Sequence, residues 1–232
     1  MMKTYHSDAI IADGRQLLQT MHALYDAQPK EGAQSAIVDE QALGITLIPE
    51  VNMWLYRATE MNDISYFHIC ERGEQASKER LEHIRDIWAF VIIPWATPLQ
   101  TIWRTYLLGK AKTQLPANWH GAYNKATLIF ETNDIESIQP MDRVIDRNVH
   151  HSEMPAEVFA NRDWSVIAPI EELQPKVMSL DASTCQVVCC YWNDWEGLVR
   201  ETTTYMVEEG TMIYAEDSKK EVLYPYHCGV MF

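Results

Sequence analysis

The sequence predicts an α+β protein, with a helical N-terminal half followed by a mostly antiparallel sheet that ends in a C-terminal β-meander. Three observations carry that expectation. Ile10, Leu17, Leu18, Met21, Leu24 and Tyr25 recur at helical spacing behind Ser7 and Asp8. Two apolar helical stripes between residues 81 and 107 are punctuated by Pro94 and Pro98. Residues 186–226 hold β-branched and aromatic runs separated by turn residues.

In the first helix Ser7 suits the N-cap, Asp8 favours the positive helix end, and Pro29 lies just beyond the last periodic residue. Residues 35–43 read as a short second helix stopped by Gly44. Pro49 suits the first turn of a third, in which Val51, Trp54, Leu55, Ala58 and Met61 line one face. Residues 64–70 are apolar and short enough for a strand. From Glu74 the pattern is helical again, with Leu81, Ile84, Trp88, Val91 and Trp95 as a stripe that Pro94 breaks or kinks. Thr97, Pro98 and Gln100 then form a capping box with proline at the first helical position. Leu99, Ile102, Trp103, Tyr106 and Leu107 follow, and Gly109 stops the helix. This helical pair is expected to be the core of the first half.

Between residues 112 and 124 the helical period is lost at Pro116 and Gly121, so any boundary falls there. The chain reads as a single domain over 1–232, with 1–112 as a helical subdomain and 125–232 as a sheet subdomain where it divides. Residues 126–131, 143–149 and 164–168 read as strands, 156–160 as a helical turn, and 170–178 as a short helix interrupted by Pro175. Residues 186–192 are apolar on both faces, with Val187, Cys189 and Tyr191 on one and Val188, Cys190 and Trp192 on the other, as a central strand requires. Residues 198–207 continue the meander, a hairpin is expected at Glu208, Glu209 and Gly210, and strands at 211–216 and 221–226 flank a longer turn at 217–220. Pro225 cannot donate to a ladder, which places the last strand at an edge.

The chain of 232 residues carries 19 Lys/Arg against 33 Asp/Glu, a net charge of −14. Residues 1–113 hold 11 and 14, a balance of −3, whereas residues 114–232 hold 8 and 19, a balance of −11. A field of that sign repels phosphate backbones, so nucleic acid and anionic membrane are excluded as partners and a basic protein surface is favoured. Cys70, Cys185, Cys189, Cys190 and Cys228 make an odd count, and Cys189 and Cys190 point to opposite faces of one strand and so do not pair with each other. Reduced thiols in a cytoplasm are the expectation. Residues 1–14 lack the pattern of a signal peptide. Residues 87–103 run for 17 residues without a formal charge, but Pro94, Pro98 and Gln100 lie inside them and Arg104 follows, which suits buried helices rather than a membrane span.

The densest constellation for chemistry is Trp192, Asn193, Asp194, Trp195, Glu196 and Gly197. Indoles stack on sugar faces and paired carboxylates divide acid and base roles, while Asn and Asp are also ordinary turn formers. His150, His151 and Glu153 form a cluster of metal-capable residues without a metal-site spacing, and a solvated loop before Pro155 accounts for them, so no metal is expected. There is no nucleophile elbow, no reactive-cysteine signature and no glycine-rich phosphate loop, so no cofactor is expected. Trp54, Trp88, Trp95 and Trp103 fall on apolar helix faces; Trp119, Trp192 and Trp195 lie near turns, where an exposed indole serves as a binding anchor.

Two functions follow as expectations. The first is a non-enzymatic binding protein, of the inhibitor or immunity-protein kind, that engages a basic protein partner through its acidic C-terminal half. The alternative is a hydrolase, with a glycan as its candidate substrate, Asp194 and Glu196 as acid and base, and Trp192 and Trp195 as the platform. On an extended backbone those two carboxyls stand about 7 Å apart, nearer the inverting than the retaining spacing.

Overall fold

The computed structural model describes residues 3–4, 7–27, 34–43, 51–57, 65–71, 91–92, 98–110, 126–138, 168–207 and 212–226. Within them the first part of the chain gives β1 (Lys3–Thr4), α1 (Ser7–Asp26), β2 (Gln34–Ile37), α2 (Glu40–Leu43), β3 (Val51–Arg57), β4 (Ser65–Glu71), β5 (Val91–Ile92) and α3 (Pro98–Gly109). The second part gives β6 (Thr127–Leu128), α4 (Thr132–Glu136), α5 (Ile170–Leu173), β7 (Lys176–Ser179), β8 (Thr184–Asn193), β9 (Gly197–Val207) and β10 (Met212–Pro225). The fold is α+β. Its larger sheet has seven antiparallel strands in the order β1-β7-β8-β9-β10-β5, with β6 also paired to β8. A second antiparallel sheet has the order β2-β3-β4.

The sheet's two faces are both covered, which is why β8 is apolar on both. One face presents Val177, Val187, Cys189, Tyr191, Val199 and Tyr205 to α1 and α3, which add Ile10, Leu17, Met21, Ile102, Trp103 and Leu107 to one buried cluster. The other presents Cys190, Trp192 and Leu198 to Ile129, Ile135 and Leu173, the last two from α4 and α5. Cys189 and Cys190 therefore lie in different clusters, and they and Cys185 are free and buried.

Helices α1 and α3 meet closely because Gly14 has no side chain. A Cβ there would stand 3.0 Å from Trp103 Cζ2 and 3.3 Å from Phe130 Cζ. The Trp103 indole N–H donates to the Ile10 carbonyl at 2.9 Å, while Arg104 Nε reaches Asp13 Oδ2 at 2.9 Å and Gln100 Nε2 reaches Asp13 Oδ1 at 2.6 Å. Among the described residues no helix is long and apolar enough to cross a membrane.

Several elements differ from the sequence reading. The expected third helix is strand β3, because its backbone finds ladders on both sides: Arg57 stands opposite Gln34 and Val51 opposite Glu71. Apolar spacing compatible with a helix yields here to tertiary pairing of a Val-, Trp- and Tyr-bearing segment. Residues 35–43 split into β2 and a short α2, whose start Asp39 caps by accepting the Gln41 N–H at 2.9 Å. Val91 belongs to a strand, not to a helical stripe. Residues 126–131 are strand only at β6, since the Asp134 carboxylate accepts the N–H groups of Phe130 and Glu131, each at 2.8 Å, and opens α4.

The expected turn at 217–220 is strand. β10 runs unbroken over 14 residues beside β9, with Ser218 opposite Thr203 and Lys220 opposite Glu201, and with register shifts between Ala215 and Asp217 and between Val222 and Tyr224. Nor is β10 the outermost strand, since β5 pairs with it at Met212 and Ile213; Pro225 stands at its other end, opposite Gly197. The segments 143–149 and 156–160, the hairpin residues 208–210, Trp119, His150, His151 and Glu153 lie outside the described residues.

Candidate functional site

The turn between β8 and β9 holds four of the residues that the sequence singles out. Asn193 closes it: its side-chain oxygen accepts the N–H groups of Trp195 at 2.9 Å and Glu196 at 2.7 Å, an Asx turn. Gly197 adopts φ 89°, and a Cβ on it would stand 2.1 Å from the Tyr224 carbonyl oxygen, so glycine is required by both the conformation and the closeness of β10.

The two carboxylates of this turn take partners on opposite faces of the sheet. Asp194 Oδ1 accepts the Trp192 indole N–H at 2.9 Å, on the face that carries Cys190 and Leu198. Glu196 Oε2 accepts from Asn193 Nδ2 at 2.9 Å, and its Oε1 lies 2.9 Å from Lys220 Nζ. Lys220 stands opposite Glu201 across the ladder, and so belongs to the other face. Partial burial acts to raise the Glu196 pKa, but the bonds from Lys220 and Asn193 outweigh it and hold the carboxyl below its ordinary range, ionised at neutral pH. That suits an acceptor rather than a proton donor. Trp192 is buried and tilted against Tyr226 at 5.2 Å, whereas Trp195 is half-buried against the same cluster.

Four positions along β9, on the face covered by α3, lies a centre that the sequence reading did not single out. Glu201 is only 3% exposed. Its Oε2 accepts from Tyr106 Oη at 2.8 Å, and its Oε1 accepts from Lys110 Nζ at 2.8 Å and from Ser218 Oγ at 3.2 Å. The Lys110 ammonium also stands 5.6 Å above the Tyr106 ring and 5.3 Å above the Tyr191 ring. Burial, then the neighbouring Cys189 and Glu201, pushes the Tyr106 pKa far up; burial and Glu201 do the same for Tyr205, and push Tyr191 up to about 12. Burial likewise raises the Cys189 thiol, with Cys190 adding to it. The phenols and the thiol around this carboxylate are therefore protonated at neutral pH.

No protein family, curated protein or solved structure matches this chain.

The surface contributes a third feature. α4 and α5 both pack into the second cluster, through Ile135 and Leu173, and Gln174 Nε2, just after α5, donates to the Phe130 carbonyl, just before α4, at 3.2 Å. Glu136 on α4, Glu171 and Glu172 on α5, and Glu131 at the N-cap of α4 are exposed. Arg15 reaches Glu131 at 2.9 Å and Asp134 at 3.0 Å from α1. Among the described residues no group of three or more His, Cys, Asp or Glu is arranged to hold a metal ion.

The signal for Glu201 was present in the sequence as a lone acid between Val199 and Thr203, each two positions from it and so on the same strand face. Tyr106 and Lys110, four apart at the end of a helix, supply the complementary pair. Arg200, Thr202 and Thr204 make the opposite face of β9 polar as well, so alternation did not reveal which face is buried.

Proposed function

We propose that the protein is a non-enzymatic binding protein that engages a basic protein partner through the acidic edge formed by α4 and α5, in the manner of an inhibitor or immunity protein. The observation that carries this reading is the exposure of Glu136 on α4 and of Glu171 and Glu172 on α5, with exposed Glu131 at the N-cap of α4, on two short helices that share one apolar cluster through Ile135 and Leu173. They belong to residues 114–232, where 8 Lys/Arg face 19 Asp/Glu. A negative field of this kind speeds encounter with a basic surface and selects against phosphate backbones. Trp195, half-buried against the same cluster, supplies an indole of the type that anchors interfaces. Trp192 is buried in the same cluster.

The test is affinity capture with the wild-type chain and with the triple charge reversal Glu136→Lys, Glu171→Lys, Glu172→Lys, each at about 50 mM and about 500 mM salt. A basic protein held at low salt, released at high salt and not held by the variant supports the reading. Identical capture by the two chains, or capture indifferent to salt, refutes it.

A further inference from the structure

We infer that the Glu201 carboxylate, gripped by Tyr106, Lys110 and Ser218, is a latch that fixes the register of α3 on the seven-stranded sheet. Apolar packing by itself does not set this register. Ile102, Trp103, Leu107 and the sheet residues Val177, Val187 and Val199 share one buried cluster, and such burial is non-directional. A helix slid by one turn, about 5.4 Å, would still place an apolar stripe on an apolar face.

Glu201 breaks that degeneracy. Tyr106 lies in the last turn of α3 and Lys110 directly follows the helix, its N–H still bonded to the Tyr106 carbonyl at 3.1 Å. Their side-chain donors converge on one carboxylate: Tyr106 Oη donates to Oε2 at 2.8 Å, and Lys110 Nζ straddles both oxygens, 2.8 Å from Oε1 and 2.6 Å from Oε2. Ser218 ties the same carboxylate to β10 at 3.2 Å, and Thr203 Oγ1 lies 3.3 Å from the Ser218 hydroxyl in turn. A one-turn slide would strip both donors of the α3 side from a carboxylate that is 3% exposed, leaving a buried charge unpaired. Misplaced apolar contacts carry no comparable penalty.

The centre acts within the fold rather than on a ligand, because both carboxylate oxygens are already engaged and Tyr106, one of their donors, is only 2% exposed. The raised pKa of Tyr106 keeps its hydroxyl a donor throughout the neutral range. Buried ion pairs are weak sources of net stability, and setting register is their best-attested use.

The test uses the full chain in two variants, followed by urea unfolding and by the amide spectrum in solution. Glu201→Met alone leaves Lys110 and Tyr106 without their shared acceptor, and its unfolding midpoint falls well below that of the wild type. The triple variant Tyr106→Phe, Lys110→Met, Glu201→Met removes the carboxylate and both of its donors from the α3 side together, and leaves the Ser218 hydroxyl with Thr203 Oγ1. Its midpoint returns to the wild-type value or above, while the resonances of α3 and β9 broaden or double as alternative registers become populated. A triple variant with a restored midpoint and a single sharp set of resonances overturns the latch, since apolar packing and the contacts of α3 to Asp13 and Ile10 on α1 would then suffice. A triple variant as unstable as Glu201→Met, or unfolded, also overturns it, because the network would then supply stability rather than register.

Discussion

At the scale of single residues, both acidic side chains of the turn between β8 and β9 take partners within the fold. Asp194 is taken by the Trp192 indole and Glu196 by Asn193 and Lys220. The Glu196–Lys220 pair has a pH signature. Glu196 is held below its ordinary value of 4.5, so its contribution to stability is present above that value and is lost as the pH falls through the lower folded-state pKa. For Lys220, burial acts to lower the pKa, but the bond to Glu196 and the neighbouring Tyr191 outweigh it and raise the pKa above 10.5. Its contribution is present below 10.5 and is lost as the pH rises through the folded value. Both side chains are partly exposed, so solvent limits the pair to at most about 1 kcal/mol. Urea unfolding between about pH 3 and about pH 7 should show that Glu196→Gln loses less stability on acidification than the wild type. Parallel acid limbs for the two chains would refute the assignment.

At the scale of elements, the contact between α1 and α3 depends on Asp13, whose carboxylate serves both Arg104 and Gln100 in a largely buried position. Asp13→Ala leaves the Arg104 guanidinium with the Leu43 carbonyl at 3.3 Å, and should cost about 3 kcal/mol in urea unfolding, the low end for breaking a buried pair. The double change Asp13→Leu, Arg104→Met should recover at least half of that loss; no recovery would mean that the clamp acts through something other than its charges. These two helices were legible in the sequence because their signals are local: Ser7 and Asp8 at the start of one, Pro98 and Gly109 at the ends of the other, with apolar stripes between. β8 was legible for a similar reason, since apolar residues on both faces need two covering layers. What the sequence hid is non-local. β3 reads as a helix face until β2 and β4 pair with it, and the polar run at 217–220 reads as a turn until β9 lies alongside. The Glu201 centre was hidden by the same cause, because its partners Tyr106 and Lys110, in the last turn of α3 and directly after it, are 95 and 91 positions away.

At the scale of the whole molecule, the seven-stranded sheet is assembled from both parts of the chain. β1 and β5 come from the first 112 residues and pair with β7 and β10. α1 and α3, from the same part, cover the face bearing Val187, Cys189, Tyr191 and Val199. A fragment of residues 113–232 would expose that face along with Glu201, deprived of Tyr106 and Lys110. It would also lose the Arg15 bridge to α4. The residual charge of −11 on residues 114–232 favours solubility but does not replace buried apolar surface. The expectation is one cooperative unit: in the intact chain, unfolding followed by far-ultraviolet circular dichroism and by tryptophan fluorescence should give coincident transitions. Residues 1–112 and 113–232 expressed apart should each lack a cooperative transition, and should gain one when mixed, because each supplies surfaces that the other buries. Two separated transitions in the intact chain, or a cooperative transition in an isolated fragment, would show instead that the helical and sheet-bearing parts fold as independent subdomains.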